Sequence, residues 1–533
     1  MNKKVLRNGF VVDGSGSEGF YSDILIEGEF IKRVEKNVVV DEETKEIDVK
    51  GLVISPGFID THSHSDAKLL VEPLIDQKVA QGITTEILGQ DGISMAPLPK
   101  KFIEPWRKNI AGLDGDFPGI DWNFKDTKGY LKMIEKMKPA FNVAYLLPHG
   151  NVRMEAMGLD NREPNKKELE KMKKIIEREM KNGAIGFSSG LIYIPCAYSK
   201  TDEIIECCKV VAKYNGIFVV HQRSEADDIL SSADEIIEIG RKSKVKIHFS
   251  HMKVCGLKNA HKIPLLLEKF DKAKKEEGIE ISFDQYPYVA GSTMLGVILP
   301  PWVHEGGTDM LLKRLKDKET RKKIVTDIKK GIPGWDNFVD FAGMDKIIIT
   351  SVKNKKNEKY IGKTLEELGN IKKQNPFDST FDLLIEEEND VGMVNFYGKE
   401  EDIATFIKRE EHNVCTDALL GKGKPHPRSY GSFPKILSKY VREEKLITLE
   451  NAIYKMSGKP AKLFKIDKRG FIKEGYFADL TIFDIDLIKD NASYIESTKY
   501  PTGIKYVFVN GEKILEDEKP FYKPAGKVIR HNI

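Results

Sequence analysis

The sequence predicts an α/β protein: a (β/α)8 TIM-like barrel, a small β-sandwich domain built from both chain ends, and an inserted subdomain between barrel strands 7 and 8. Three observations carry this expectation. Both ends of the chain read as short strands broken by turn signals, whereas the middle alternates short apolar runs with amphipathic helical stretches. Eight such runs occur, and repeated strand–helix alternation argues for a parallel sheet that eight units close into a barrel. Polar residues gather at the C-terminal ends of the runs, where barrel enzymes carry their chemistry.

The elements follow in order. Residues 1–52 hold VLRNGFVVDG and SDILIEGEFIKRVEK, with turns at Asp13-Gly14 and Glu27-Gly28. Residues 466–533 hold RGFIKEGYFADLTIFDID and GIKYVFVNGEKILE, with a hairpin signal at Asn510-Gly511. The two ends are expected to pair into one β domain. The barrel spans 53–465, and its strand candidates are GLVISPGFID, GITTEILGQDG, NVAYLLPHG, GAIGFSSGL, GIFVVHQRSE, KIHFSHMK, IEISFDQYPY and HNVCTD. Helical patterns such as Asn165 to Asn182 and Thr201 to Asn215 lie between them. About 125 residues separate the seventh run from the eighth, too many for a plain loop. Lys- and Glu-rich helical stretches and the strand-like Lys346 to Val352 predict an insertion over about 300–412 beside the mouth of the barrel.

Composition excludes several classes. Lys and Arg number 85 against 82 Asp and Glu, which gives no electrostatic case for nucleic acid or an anionic membrane. Lys clusters such as Lys171 to Lys174 alternate with Glu and read as solvated helix faces. No run of about 18 apolar residues suggests a membrane span. The N-terminus is basic but lacks an apolar signal core. Five Cys without framework spacing fit a reducing compartment, so a cytoplasmic protein is expected.

The chemistry starts at Pro56-Gly-Phe-Ile-Asp-Thr-His-Ser-His64. An apolar run ends in Asp60, and His62 and His64 follow at a spacing of two, which on a strand points both rings to one side. His221 ends run five, His251 ends run six and Asp417 ends run eight. All five fall at the same end of the expected barrel. Imidazole and carboxylate suit zinc, and also iron or manganese. A metal there lowers the pKa of a bound water, and Asp417 is placed to accept that water's proton and pass it to a leaving group. A lone His at a strand end is ordinarily a hydrogen-bonded core or surface residue. His149, His248, His261, His304, His412 and His531 are read that way, with His248 expected on the strand face opposite the ligands.

With these motifs in place, the chain resembles the amidohydrolase superfamily and, within it, the N-acyl-D-amino-acid deacylases (D-aminoacylases). PGFIDTHSH alone marks the superfamily. HQRSE, FSHMK, YPYVAGST, the TD of VCTD, PHPRSYGSFP and GYFADLTIFD extend the likeness over the whole length and narrow it. The resemblance implies a tight metal site of His221, His251 and a strand-2 ligand, and a weaker site of His62, His64 and Asp417, with Asp417 as general acid/base. It implies that Arg428 clamps a substrate carboxylate, helped by Lys253, Tyr286 and Ser292, and that Tyr193 contacts substrate. A planar guanidinium suits such a carboxylate.

One position departs from the family pattern. The turn after strand 2 carries a Cys in well-known members, whereas here it reads Gly89-Gln90-Asp91-Gly92, so Asp91 is the expected ligand. A carboxylate is harder than a thiolate and can bridge two ions. Cys196 and Cys255 are alternative sulfur donors. Strand 4 ends in GFSSGL and offers no Lys for carbamylation, unlike urease-like or hydantoinase-like relatives. The expected activity is metal-dependent hydrolysis of an N-acyl-D-amino acid to a carboxylate and a free D-amino acid. The expected cofactor is Zn2+, one or two ions per subunit, with other divalent metals as alternatives. The alternative reactions are hydrolysis of a carboxylate-bearing cyclic amide or dipeptide-like bond; a non-catalytic scaffold is the third reading. The expected partner is a small N-acylated amino acid, and the sequence leaves the oligomeric state open.

Overall fold

The computed structural model describes residues 3–420 and 423–531. Eight parallel strands form the barrel wall: Phe58–Asp60, Ile83–Leu88, Asn142–Pro148, Gly186–Gly190, Ile217–His221, Lys246–Phe249, Ile281–Gln285 and His412–Val414, here called barrel strands 1 to 8. Each is paired with its sequence neighbour. Helices between strands pack against the outer face; Lys166–Lys181, capped by Asn165, and Thr201–Lys213 are two of them. Ile59, Ile87, Leu146, Ile185, Ile217 and Val219 pack together with Phe464, from the segment after strand 8, into a core of their own. A fully buried Phe of this kind contributes about 2 kcal/mol over an exposed one.

The chain ends pair into one nine-stranded sheet. Val53–Pro56, the last N-terminal strand, runs antiparallel to Leu480–Phe483, the first C-terminal one. Leu6, Ile24, Ile26, Ile54, Leu480, Ile482 and Phe508 form its core. Asn510 and Gly511 both take positive φ, 48° and 75°, as a tight hairpin turn requires.

The apolar run from Leu52 to Ile59 is divided between the two sheets. Val53–Pro56 belongs to the terminal sheet and Phe58–Asp60 to the barrel. Gly57 is the joint. Its N–H donates to Asp479 O, and a Cβ there would lie 2.1 Å from Thr84 Oγ1. Sequence periodicity reads this run as one strand because both halves are apolar and buried.

Between barrel strands 7 and 8, Ala290–Met294, Val391–Phe396 and Ile347–Val352 form an antiparallel sheet with Val391–Phe396 in the middle. Helices Thr308–Lys316, Lys318–Lys330, Leu365–Lys372 and Pro376–Glu386 accompany it. The edge strand Ala290–Met294 carries Ser292 to the barrel mouth. Among the described residues, no helix is long and apolar enough to cross a membrane. All five cysteines are free and buried.

Candidate metal centre and substrate cleft

The candidate centre is built from strand ends. His62 and His64 leave strand 1, His221 is the last residue of strand 5, and His251 follows strand 6 with a φ of 36°. Asp91 sits in the turn after strand 2 at φ 54°, between Gly89 at φ 77° and Gly92 at φ 69°. That left-handed run turns the chain back over the barrel mouth. A Cβ on Gly89 would meet Leu146 O at 2.1 Å, so only glycine fits the approach of strand 3.

Two groups of buried donor atoms result, and Asp91 belongs to both. His62, His64 and Asp91 form one, and Asp91, His221 and His251 the other; in each, all donor atoms lie within 4.8 Å of one another. Asp91 Oδ1 is 3.6 Å from His62 Nε2 and 3.7 Å from His251 Nε2, and Asp91 Oδ2 is 3.6 Å from His64 Nε2. Both ring nitrogens of His62, Nε2 of His64, Nε2 of His221 and Asp91 Oδ1 are buried without a hydrogen-bond partner. Unpaired polar atoms in such number are expensive in a protein interior. Converging on two points, they fit divalent ions, and imidazole plus carboxylate is a donor set for zinc or a harder metal. Cys196 and Cys255 lie outside both groups.

Asp417 stands beside the first group at φ 49°. Its Oδ1 is 3.4 Å from His64 Nε2 and 3.7 Å from His62 Nε2, while Oδ2 pairs with Arg428 Nη1 at 2.8 Å. Burial opposes its charge, but Arg428, His251 and His62 outweigh it and hold the carboxyl far below its ordinary range. Asp91 is likewise held well below, with burial opposed first by His62 and then by His251. Burial depresses His221 to about 4. Burial and Lys253 also disfavour charge on His251, yet Glu225 and Asp417 raise it to about 9. These two rings touch, Nδ1 of His221 to Nε2 of His251 at 2.9 Å.

The residues expected to meet substrate line one cleft with Asp91, His221, His251 and Asp417. Arg428 lies 4.5 Å over the Tyr286 ring, its Nη2 donates to Ser292 O, and its buried Nε has no partner. Tyr286 Oη is also buried and unpartnered. Tyr193 Oη meets Thr293 Oγ1 at 2.9 Å, and Ser292 Oγ donates to Met393 O. Lys253 is engaged, with its Nζ 2.8 Å from Glu225 Oε1 and 2.8 Å from His251 Nδ1. His426 is structural: Nε2 donates to Ala290 O and Nδ1 accepts the Arg428 N–H. A second cleft shares Ile192, Tyr193 and Phe338 with the first and is walled by Ile93, Ile194, Val297 and Trp335, with Asn109, His304, Asp336 and Asn389 also in its lining.

One expectation is corrected. His248 does not face away from the ligands. It pairs in register with Val219, an inner-core residue, and bonds Ser282 Oγ and Asp284 Oδ2. Strand 6 ends at Phe249 and then turns, so counting by twos back from His251 gives the wrong face.

Several supporting residues escaped the sequence reading. Asp284 accepts from His248, from Thr61 Oγ1 and from the His251 N–H, tying strands 1, 6 and 7. Glu225 braces His251 and Lys253; its place four residues after His221 in HQRSE was the one available signal. Asp114, which contacts His64 Nδ1 at 3.2 Å, ends a helix remote in sequence and gave none.

The amidohydrolase family model matches residues 45–254 and 396–514. A D-aminoacylase of Alcaligenes xylosoxydans xylosoxydans is 31% identical over 98% of this chain and 97% of its own length. An N-acyl-D-glutamate deacylase of the same organism is 29% identical over 99% and 96%. The fold superimposes on a zinc-bound N-acyl-D-glutamate deacylase of Bordetella bronchiseptica, complexed with a phosphonate mimic of the tetrahedral intermediate, with a TM-score of 0.83, 27% identity and 99% of both chains covered. It superimposes on D-aminoacylase with a TM-score of 0.81 at 30% identity, again over 99% of both chains.

Proposed function

The chain belongs to the amidohydrolase family, and we propose that it hydrolyses the amide bond of N-acyl-D-amino acids to a carboxylate and a free D-amino acid. The observation that carries this reading is the convergence of four imidazoles, Asp91 and Asp417 beneath a buried arginine that lines the same cleft. His62, His64, His221 and His251 with the shared Asp91 would hold one or two divalent ions, zinc as in the solved relative. Such an ion supplies a Lewis acid for the amide carbonyl and an acidified water.

The chain's own groups do the rest. Asp417, ionised beside Arg428, takes the water's proton at Oδ1 and delivers it to the departing nitrogen. Arg428 has five N–H donors, of which Nη1 holds Asp417 and Nη2 holds Ser292 O. The buried, unpartnered Nε and the Tyr286 hydroxyl remain for the α-carboxylate of the substrate. The guanidinium thereby sets the distance between the bound carboxylate and the proton carrier. Lys253 acts through His251, because its ammonium is consumed by Glu225 and the imidazole. The adjoining cleft is walled largely by Ile93, Ile194, Val297 and Trp335 and has no Lys or Arg in its lining to pair with an acidic side chain, so N-acyl-D-leucine or -methionine is favoured over N-acyl-D-glutamate or -aspartate.

The test is an assay of N-acetyl-D- and N-acetyl-L-amino acids on zinc-reconstituted protein. Turnover of the D series, apolar side chains first, is expected; turnover of the L series alone overturns the reading. Arg428→Ala is expected to raise KM for any substrate bearing the α-carboxylate, and an unchanged KM and kcat/KM removes the carboxylate clamp.

A further inference from the structure

Among the described residues, the barrel ladder runs from strand 1 round to strand 8 and does not pair strand 8 directly with strand 1. The seam is stitched instead by two-residue strands, Ala418–Leu419 beside Ser63–His64, and by a buried polar cluster beneath them. At the centre of that cluster is Lys78, in the short helix Asp76–Val79 and fully buried. Its Nζ lies 2.6 Å from Asp60 Oδ2, 2.7 Å from Glu86 Oε1, 2.8 Å from Ser63 Oγ and 2.8 Å from Thr416 Oγ1. One ammonium therefore contacts the end of strand 1, the loop beyond it, strand 2 and the segment beyond strand 8.

The contacts lead directly to the centre. Asp60 Oδ1 accepts the Thr416 N–H at 2.8 Å, and Asp60 Oδ2 accepts the Thr416 hydroxyl at 2.5 Å. Thr416 precedes Asp417, whose N–H donates to His62 O at 2.8 Å. Ser63 lies between His62 and His64. Burial opposes the Lys78 charge, and Asp60 and Glu86 outweigh it. A buried ion pair is weak evidence for added stability, since desolvation offsets much of the attraction. Its most concrete effect here is geometric, because its partners flank three residues of the centre.

We propose that Lys78 is a positioning residue of the reaction: by gathering Asp60, Ser63 and Thr416 around one ammonium, it fixes the seam of the barrel and so sets Asp417 against His62 and His64. The proposal rests on the reading of Asp417 as the proton carrier. It assigns Lys78 no contact with substrate or metal.

Thr416→Val tests this with the charge cluster left in place, and Thr416→Ser restores the hydroxyl. Displacing a reacting group by about 1 Å lowers a rate on the order of 100-fold. Thr416→Val is therefore expected to lose kcat by about 10- to 100-fold with KM within about 3-fold, and Thr416→Ser to recover most of it. Zinc content, measured on substrate-free protein, is expected to stay at the wild-type value. Lys78→Met is the second variant, judged where it folds by the same kcat and KM split. Hydrogen exchange of residues 58–64 and 412–419 is read in both variants without substrate, and faster exchange confined to these segments is expected. Unchanged kcat in Thr416→Val and in folded Lys78→Met overturns the proposal, as does kcat loss that merely follows zinc loss. Should the wild type cleave no N-acyl-D-amino acid, the functional reading fails on its own. Exchange then still decides the seam, because unaltered exchange in both variants refutes it whichever bond the enzyme cleaves.

Discussion

Asp417 concentrates the chemistry at the scale of the residue. Its two oxygens face different neighbours, Oδ1 the histidines and Oδ2 Arg428, so in the proposed reaction one oxygen is anchored while the other exchanges a proton. Asp417→Asn keeps the shape and removes the base; kcat is expected to fall by about 10²- to 10⁴-fold while the variant still folds. Full activity in that variant would transfer the proton role elsewhere. A second residue reports on stability. His149 is buried with Nδ1 on Ser189 Oγ and Nε2 on Glu203 Oε1. Burial lowers its pKa, but Cys196 and Glu203 outweigh burial and raise it from 6.5 to about 9. The folded state thus binds the proton more tightly than the unfolded chain. The stabilisation is complete below about pH 6.5 and is lost as pH rises through about 9. The urea midpoint of the wild type is expected to exceed that of His149→Gln most at pH 6, with the gap narrowing toward pH 9.5. A gap independent of pH would refute the linkage. In the sequence His149 looked like an ordinary core histidine, because Glu203 lies on another helix and nothing in the spacing joins them.

At the scale of the element, the turn Gly89–Gly92 decides what the centre contains. Three of its four residues take positive φ, and strand 3 passes close behind. Gly89→Ala is expected to destabilise the protein by about 2–4 kcal/mol, through left-handed strain and the clash with Leu146 O. Chemical denaturation measures it, and a change below about 0.5 kcal/mol would mean the strand retreats at little cost. The Gly-Gln-Asp-Gly string made this turn legible, since glycines at such spacing mark backbone that other residues cannot adopt. It also made Asp91 a ligand candidate. That Asp91 reaches both groups of histidines was not legible, because it depends on where strands 1, 5 and 6 place their ends around the barrel.

At the scale of the whole molecule, the proposed ions would join distant strands, and the terminal sheet joins the two chain ends. The donors come from strands 1, 2, 5 and 6, so an ion binds the folded barrel and not the separated strands. Zinc at about 100 times its Kd is expected to stabilise the protein by about 2.7 kcal/mol, and chelation to reverse this. A melting temperature indifferent to zinc and to chelator would argue against the centre, and Asp91→Ala is expected to weaken the response. The C-terminus is also integral to the barrel. The Val143 N–H donates to Lys527 O, the Ile529 N–H donates to Val143 O, and Ile504–Val509 and Glu512–Glu516 extend the sheet shared with the N-terminus. Truncation after residue 500 is expected to give insoluble protein; a soluble product that melts like the full chain would refute this dependence.

The sequence by itself determined the barrel, the pairing of the two chain ends and the four histidines with Asp417. Those features rest on periodicity and on chemistry clustered at strand ends, and both are local properties of the chain. Tertiary structure alone decided that Asp91 is shared, that Arg428 grips Asp417, that Lys253 meets Glu225 and His251, and that Lys78 meets Asp60, Ser63 and Thr416. Each of these is a distance between segments far apart in sequence, fixed only when the strands close into a barrel and buried charges must find partners. His248 shows the boundary: its type and strand were legible, but its face was not, because the chain turns between it and His251.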